Sequence, residues 1–246
     1  MKRLSKIVLN LFFAISVLTV SSNVASAAQS QWTQVEEYNR KYEFQSQVYT
    51  RTISGTTYMQ AGTIIKITLG YPYASYYGAQ ARLYSSSGIL KASSAMVHND
   101  ENISAYMVET RGYPEKGTYY SHGIAEFYNG NTGYYRTVEG LRSPYETFSL
   151  VPDLPLKVEV NEEGETFGSG LYALNGEELD YLIAEGVDGT EGFVRAADLA
   201  SNVTSLEEAL QYNSTTQSAQ FIPLYDKNKN IIGQFEISTH VKKIEG

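Results

Sequence analysis

Residues 117–136 read GTYYSHGIAEFYNGNTGYYR, a pattern that predicts a β-hairpin. The odd-numbered residues from 119 to 127 fall on one face of a strand and the even-numbered residues from 120 to 128 on the other, because successive side chains of a strand point to opposite faces. The turn at 129–133, NGNTG, consists mostly of residues that tolerate a positive φ. Tyr134 and Tyr135 then begin the returning strand. The stretch therefore predicts an antiparallel sheet to which neighbouring segments add strands.

Further strands are predicted throughout residues 46–150. Turns rich in Gly, Ser and Pro separate five segments of strand-forming residues, which are 48–53, 63–69, 79–84, 89–94 and 103–110. Turns at intervals of about 8 to 12 residues are typical of antiparallel sandwiches and barrels. Residues 117–119, GTY, are similar to the G-x-Y of immunoglobulin-like sandwiches, although the usual cysteines and core tryptophan are absent. We therefore expect an antiparallel β-sandwich, immunoglobulin-like or similar, behind a polar lead-in at residues 29–45.

Charge and aromatic content divide the chain into two regions. Residues 28–150 carry 10 acidic and 10 basic side chains, whereas residues 151–246 carry 17 acidic and 6 basic ones, a net charge of 6 − 17 = −11. The two compositions predict two domains with separate cores. The predicted second domain is a small, acidic, β-rich module at 156–238, after a proline linker at 151–155 and before a tail at 239–246. The negative charge disfavours nucleic acid and anionic membranes as partners.

Residues 1–28 have the features of a secretion signal. Basic residues at positions 2, 3 and 6 precede an apolar run at 7–20, and small residues at 25–28 fit a cleavage site. The alternative, an uncleaved anchor, is disfavoured because the run is shorter than the roughly 18 to 20 residues that span a membrane. The chain has no cysteine, so no disulfide supports it. We therefore expect a protein secreted by a Gram-positive bacterium, with no membrane partner after cleavage.

The acidic region contains short motifs in a fixed order. They are NEEGETFG at 161–168, DYLI at 180–183, DGTEGFVR at 188–195, ADL at 197–199, SLEEAL at 205–210, IPLYD at 222–226 and IIGQF at 231–235. This order resembles a small module of secreted and membrane-anchored Gram-positive proteins, some of them similar to sensor peptidases. The resemblance covers residues 156–238 and implies no activity, and the H-E-x-x-H zinc helix of such peptidases is missing. Capping boxes at 204–208 predict one short helix in the module.

The sequence contains no recognisable motif of an enzyme. His98, His122 and His240 are far apart, and no cysteine could complete a zinc site. His98 precedes Asn99-Asp100-Glu101, which could bind a cation but which we interpret as a solvated loop, and His122 is interpreted as a satisfied strand histidine. No serine lies in G-x-S-x-G, and no glycine-rich phosphate loop occurs. The sequence thus predicts no cofactor, metal or catalytic residue, while calcium on the acidic face and a carboxylate pair for glycoside hydrolysis stay open.

Tyrosine is the most unusual feature of the composition, because 17 of the 21 tyrosines lie between residues 38 and 145. A tyrosine offers a flat apolar face and a hydroxyl with little rotamer entropy to lose. Most of the 17 are expected to support the sandwich. The candidate ligand surface lies in the Gly- and Ser-rich loop and at the hairpin turn. Its residues are Tyr71, Tyr73, Tyr76, Tyr77, Tyr134 and Tyr135.

These observations predict a secreted, non-enzymatic binding or interaction protein of the bacterial envelope or exterior. Its partner would be a cell-wall glycan or an envelope protein. A cell-wall hydrolase that uses carboxylates is one alternative. A secreted antagonist, either a toxin or an inhibitor, is the other. The sequence does not indicate the oligomeric state.

Overall fold

The structure, a computed structural model, describes residues 24–53, 56–100, 103–148, 158–170, 179–201, 203–215 and 219–244. The predicted linker and most of the predicted secretion signal lie outside these residues. The described part is mainly β with two short helices, which confirms the predicted class. Within it, no helix combines the length and the apolar character that crossing a membrane requires.

The strands and helices are named in chain order. They are β1 (Val24–Gln29), β2 (Thr33–Glu37), β3 (Arg40–Ile53), β4 (Thr56–Leu69), β5 (Tyr77–Ser85), β6 (Leu90–Ser93), β7 (Val97–His98), β8 (Ala105–Thr110), β9 (Gly117–Asn129), β10 (Tyr134–Glu139), β11 (Glu146–Phe148), β12 (Glu159–Val160), β13 (Thr166–Gly168), β14 (Tyr181–Glu185), β15 (Glu191–Arg195), α1 (Ala196–Leu199), α2 (Leu206–Thr215), β16 (Gln220–Tyr225), β17 (Ile231–Ile237) and β18 (Thr239–Lys243).

The first sheet is antiparallel and has the strand order β1-β3-β4-β8-β18, with β2 paired to the other part of β3. The lead-in at 29–45 therefore forms the end of β1, the edge strand β2 and the start of β3. The tail at 239–246 contributes β18, which pairs with β8 from Thr239 opposite Thr110 to Lys243 opposite Tyr106. A strand from the end of the chain thus completes a sheet made by its beginning.

The second sheet contains the predicted hairpin. Strands β9 and β10 pair from Asn129 opposite Tyr134 to Ile124 opposite Glu139, and Gly133 has a positive φ of 78° in the turn, so the hairpin is confirmed. The sheet continues in the order β10-β9-β5-β6-β17-β16-β15-β14-β13-β12, with β11 on β9 and β7 on β5. Because β14 also pairs with β6, the strands β6, β17, β16, β15 and β14 form a closed five-stranded barrel.

The two sheets share buried clusters between them, and the barrel has one of its own. One inter-sheet cluster includes Phe44 and Ile65 from the first sheet with Ala79 and Phe127 from the second. The barrel cluster combines residues of both compositional regions. These are Tyr84, Leu90, Ala95 and Tyr120 from the first region and Leu179, Leu182, Ala184, Val194, Leu199, Leu224, Phe235 and Ile237 from the second. The expectation of separate cores is therefore wrong, because β6 of the first region is a barrel strand.

The predicted helix is α2, and its first turn explains why the sequence forms it. Ser205 Oγ accepts a hydrogen bond from the Glu208 backbone N–H at 3.3 Å, and Glu208 accepts from the Thr204 N–H and hydroxyl at 2.8 and 2.7 Å. These bonds lower the pKa of Glu208, with the Thr204 hydroxyl the largest cause. The capping box thus satisfies donors at the helix start. The short helix α1, which follows β15 directly, was not predicted.

Candidate functional site

Tyrosine rings from the 71–77 loop and from the β9–β10 hairpin form one continuous row. Ring centroids are 4.9 Å apart for Tyr71 and Tyr73, 5.3 Å for Tyr73 and Tyr76, 5.2 Å for Tyr76 and Tyr128, and 5.4 Å for Tyr128 and Tyr135. We call these five residues the tyrosine row. Tyr71 and Tyr73 are 55% and 49% exposed, and the other three are partly buried. The row therefore has an anchored end and an end open to solvent.

Arg40 lies against the open end of the row. Its guanidinium carbon is 5.1 Å from the Tyr73 ring centroid and 4.6 Å from that of Tyr76. Arg40 Nε donates to the Tyr71 carbonyl at 3.3 Å and Nη1 to the Tyr38 carbonyl at 3.0 Å. Burial raises the pKa of Tyr76, and the charge of Arg40 opposes that rise. Since the Tyr38 ring centroid is also 5.4 Å from the guanidinium carbon, the guanidinium is held in place by three rings and two carbonyls.

The turn between β2 and β3 explains how Arg40 reaches the row. Tyr38 and Asn39 have φ values of 46° and 58°, and Glu37 pairs with Arg40 across them. Two consecutive residues with positive φ make the tight turn that fits the twist of a hairpin. The turn brings Arg40 beside Gly70, where a Cβ would come within 2.8 Å of the Arg40 side chain. Close approach of the two segments therefore requires glycine at position 70.

Four of the six predicted ligand residues belong to the row, and two do not. Tyr77 is fully buried, with its hydroxyl donating to the Ile103 carbonyl and its ring 5.3 Å from that of Tyr42. It therefore does not belong to a ligand surface, because β5 begins there and its first side chain points into the core. Tyr134 is 65% exposed but neighbours Tyr135 on β10, so it lies on the opposite face of the hairpin.

Sequence reasoning missed three residues of this region, namely Tyr38, Arg40 and Tyr128. The signal for Arg40 was local, since Asn39 is a residue type that tolerates positive φ and marks a hairpin turn. The signal for Tyr128 was its place at the end of the quoted hairpin strand. Neither signal shows that the turn before Arg40 contacts the 71–77 loop, because the hydrogen bond from Arg40 to Tyr71 joins residues about 30 positions apart.

A cavity of about 400 Å³ lies beside the anchored end of the row, between β7, β8, β18 and α2. His98 lines it and has its ring 4.9 Å from that of Tyr135. Asn99 lines it as well, and its amide donates to the Tyr73 carbonyl at 2.8 Å while its oxygen accepts from the Tyr77 N–H at 3.1 Å. The cavity wall and the tyrosine loop therefore share structural support.

His98 and Asn99 are each 2% exposed, so the interpretation as a solvated loop is wrong for these two residues, whereas Asp100 is exposed. His98 Nε2 is 3.1 Å from Glu126 Oε2, and Ser201 Oγ donates to both oxygens of Glu126 at 2.8 and 2.9 Å. The serine thus bonds to the carboxylate and not to the histidine. A catalytic triad requires the serine to bond to the histidine, so this network does not activate a nucleophile.

His122 is a buried strand histidine, as interpreted from the sequence. Its Nε2 lies 3.0 Å from the Gly140 carbonyl, to which it donates a hydrogen bond. The pKa of His122 is lowered to about 4, mainly by burial and in part by the charge of Arg82, while the bond to Gly140 opposes the shift. The imidazole is therefore neutral near pH 7 and has no exposed nitrogen with which to act as a base.

We expect His122→Gln to reduce the acid sensitivity of folding. The unfolded chain binds a proton at His122 with a pKa of 6.5, and the folded chain with one of about 4. Protonation of His122 therefore does not affect the free energy of unfolding above pH 6.5 and lowers it as the pH falls. The decrease levels off near pH 4, where it amounts to about 3 kcal/mol. Urea unfolding at pH 7 and pH 4 should show that the free energy of unfolding decreases between these pH values by about 3 kcal/mol less in the variant than in the wild type. The exposed His240→Gln is the control, and a wild-type-like loss in His122→Gln would contradict the expectation.

The acidic residues of the second region serve mainly as turn and ion-pair partners. Asp180 accepts from the Thr166 N–H and hydroxyl, Asp226 closes the β16–β17 turn with Asn230, and Glu165 pairs with Lys229 at 3.0 Å. Every described carboxyl group with a shifted pKa has that pKa lowered, and hydrogen bonds are the largest cause in each. Among the described residues, no three His, Asp or Glu side chains are grouped so that they could hold a metal ion.

Fold and site together define a mainly β protein with a surface row of tyrosines. Comparisons with protein-family models, with curated proteins and with solved structures find no match to the chain. The resemblance of residues 156–238 to a Gram-positive module stays a prediction that rests on their motifs.

Proposed function

We propose that the protein is a secreted, non-enzymatic binding protein of the bacterial envelope, and that its ligand, a cell-wall glycan, docks on the tyrosine row. The observation that carries the proposal is the open end of the row, where Tyr71 and Tyr73 are half exposed beside Arg40. Flat rings suit the apolar faces of sugars. Tyrosine hydroxyls and a guanidinium provide hydrogen bonds to sugar hydroxyls.

The row supports binding because it is organised before a ligand arrives. Each ring is held by its neighbour, and Arg40 is fixed by two carbonyls, so little side-chain entropy remains to be lost. Arginine has five N–H donors, of which Nε and one on Nη1 are used in these bonds. The other N–H groups of Arg40 do not bond to these two carbonyls and can donate hydrogen bonds to the oxygen atoms of an uncharged ligand.

We expect Tyr73→Ala to weaken binding to purified cell-wall sacculi about tenfold, as loss of a central aromatic contact does in other interfaces. Co-sedimentation of the mature protein with protein-free sacculi measures this. Tyr134→Ala is the matched control, since it removes an even more exposed tyrosine from the opposite face of the hairpin. Equal binding of the two variants would contradict a role of the row in binding. Binding only to sacculi that retain their proteins would indicate that the ligand is an envelope protein and not a glycan.

The hydrolase alternative has less support. A catalytic acid for glycosides needs a raised carboxyl pKa, whereas the shifted carboxyl groups of the described residues have lowered ones. A zymogram of wall material should therefore show no cleared zone. A secreted antagonist would use the same row for a different partner, and capture of such a partner by wild type but not by Tyr73→Ala would favour it.

We also propose that the first region is an immunoglobulin-like sandwich followed by the acidic module. Support comes from the clusters that lie between the two sheets, such as Phe44 and Ile65 with Ala79 and Phe127. The module in this proposal is completed by β6 from the sandwich region. Two sheets facing each other would hold the hairpin and the 71–77 loop at one end, where loops of sandwiches gather.

A further inference from the structure

The cavity beside the tyrosine row has the size and walls of a small-molecule site. Its volume is about 400 Å³, and pockets for small ligands have volumes of roughly 300 to 1,000 Å³. Val97, Ile103, Tyr106 and Val241 provide its apolar lining. These residues come from β7, β8, β18 and the segment before β8, so four parts of the chain converge on one space.

Most polar groups of the cavity wall are already used in the fold. The Tyr106 hydroxyl donates to the Val97 carbonyl at 2.8 Å, and the Asn213 amide accepts from the His98 N–H at 3.2 Å and donates to the His98 carbonyl at 2.8 Å. Thr239 Oγ1 accepts from the Ala95 N–H at 2.7 Å. These bonds fix the wall without filling the cavity, which makes the site rigid before binding.

Two charged side chains of opposite sign are left over. Asp100 and Lys243 both line the cavity and both are exposed, and neither takes part in an ion pair among the described residues, with each other included. The charge of Asp100 is felt at the inner wall, since it adds to the effects of burial and of Tyr77 that raise the pKa of Tyr106. Within the described part of the chain, a carboxylate and an ammonium group that form no ion pair thus lie at one cavity with an apolar lining.

We propose that this cavity binds a small zwitterion, a free amino acid or a dipeptide with an aliphatic side chain. Asp100 accepts hydrogen bonds from the ligand's ammonium group, Lys243 donates to its carboxylate, and the aliphatic side chain lies against Val97, Ile103 and Val241. Hydrogen bonds with an ionised donor or acceptor are about twice as strong as neutral ones, so both ends of the ligand contribute. The proposal is independent of the glycan proposed for the tyrosine row.

Calorimetric titration of the whole mature protein with four probes tests the proposal. The probes are L-leucine, L-alanyl-L-leucine, L-leucinamide and 4-methylpentanoate. We expect leucine or the dipeptide to bind at least tenfold more tightly than leucinamide, which lacks the carboxylate, and than 4-methylpentanoate, which lacks the ammonium group. Whichever of leucine and the dipeptide binds more tightly shows whether the ligand is a free amino acid or a dipeptide. Equal binding of all four, or binding of none at millimolar concentration, overturns the proposal.

Charge-removing variants assign the two ends. In Asp100→Asn, the affinity ratio of leucine to 4-methylpentanoate should fall about tenfold. In Lys243→Gln, the affinity ratio of leucine to leucinamide should fall about tenfold. Lys242→Gln is the matched control, because Lys242 neighbours Lys243 on β18 and does not line the cavity. A Lys243→Gln variant that binds leucine like the control overturns the assignment. Binding to sacculi should be unchanged in all three variants, so failure here and failure of the glycan proposal are distinguishable.

Discussion

Glu185→Gln should lower the free energy of unfolding by about 4 kcal/mol, in the range found when one partner of a buried ion pair is removed. Lys91 Nζ lies 2.5 Å from Glu185 Oε2, and the two side chains are only 9% and 12% exposed. The Tyr113 hydroxyl donates to Glu185 Oε1 at 2.5 Å. Glutamine keeps an acceptor for Tyr113 but leaves the Lys91 ammonium buried without a counter-charge.

The position of this pair explains why the effect should be large. Lys91 is on β6 and Glu185 on β14, next to the pairing of Leu90 with Ala184 that closes the barrel. A charge left unpaired there is desolvated by the strands on both sides. The pair therefore joins the two compositional regions of the chain at a point where both side chains are largely shielded from water.

Urea unfolding followed by circular dichroism measures the expected loss. The double variant Lys91→Met with Glu185→Gln should recover more than half of it, because no buried charge is then left alone. Glu36→Gln is the matched control, since Glu36 pairs with Lys41 at a similar 2.6 Å but both side chains are exposed, and it should change stability by less than about 1 kcal/mol. If Glu185→Gln and Glu36→Gln had equal effects, the buried pair would not hold the barrel closed.

Local pattern predicted the hairpin and the helix because both depend on neighbours in sequence. The alternation before Asn129 and the glycine at 133 act within one hairpin, and the capping box at Ser205 and Glu208 acts within one turn. The adjacent tyrosines 76 and 77 show the limit of such reasoning. Tyr77 is fully buried whereas Tyr76 is only partly buried, and this difference depends on the pairing of Tyr77 with Phe127, fifty residues away.

The candidate site was predicted in part for the same reason. A loop rich in tyrosine is visible in the sequence, and so is the second group at Tyr134 and Tyr135. That the loop meets Tyr135 through Tyr128, and that Arg40 fixes its open end, follows from the packing of separate strands. Composition misled about the cores because charge counts report mainly on surfaces, whereas the barrel core takes apolar residues from both regions.

A chain divided at residue 152 should give two fragments of which the second, 153–246, does not fold alone. The composition predicted that each half folds independently. The barrel, however, uses β6 of the first region between β14 and β17. Without it, two strand edges are unpaired, and the barrel cluster loses Tyr84, Leu90, Ala95 and Tyr120. Residues such as Leu224 and Phe235, which are fully buried, would then meet water, at about 25 cal/mol per Å² of apolar surface.

Thermal melts of residues 29–152 and 153–246 should therefore differ in kind. The first fragment keeps both inter-sheet clusters but loses the strand β18 and most of β1 from its sheet, so we expect a cooperative transition at a lower temperature than in the whole chain. The second should show no cooperative transition alone and should regain one when mixed with the first, because β6 then becomes available to β14 and β17 again. A cooperative melt of isolated 153–246 near the temperature of the intact chain would mean that its strands close without β6 and that the regions are separate domains after all.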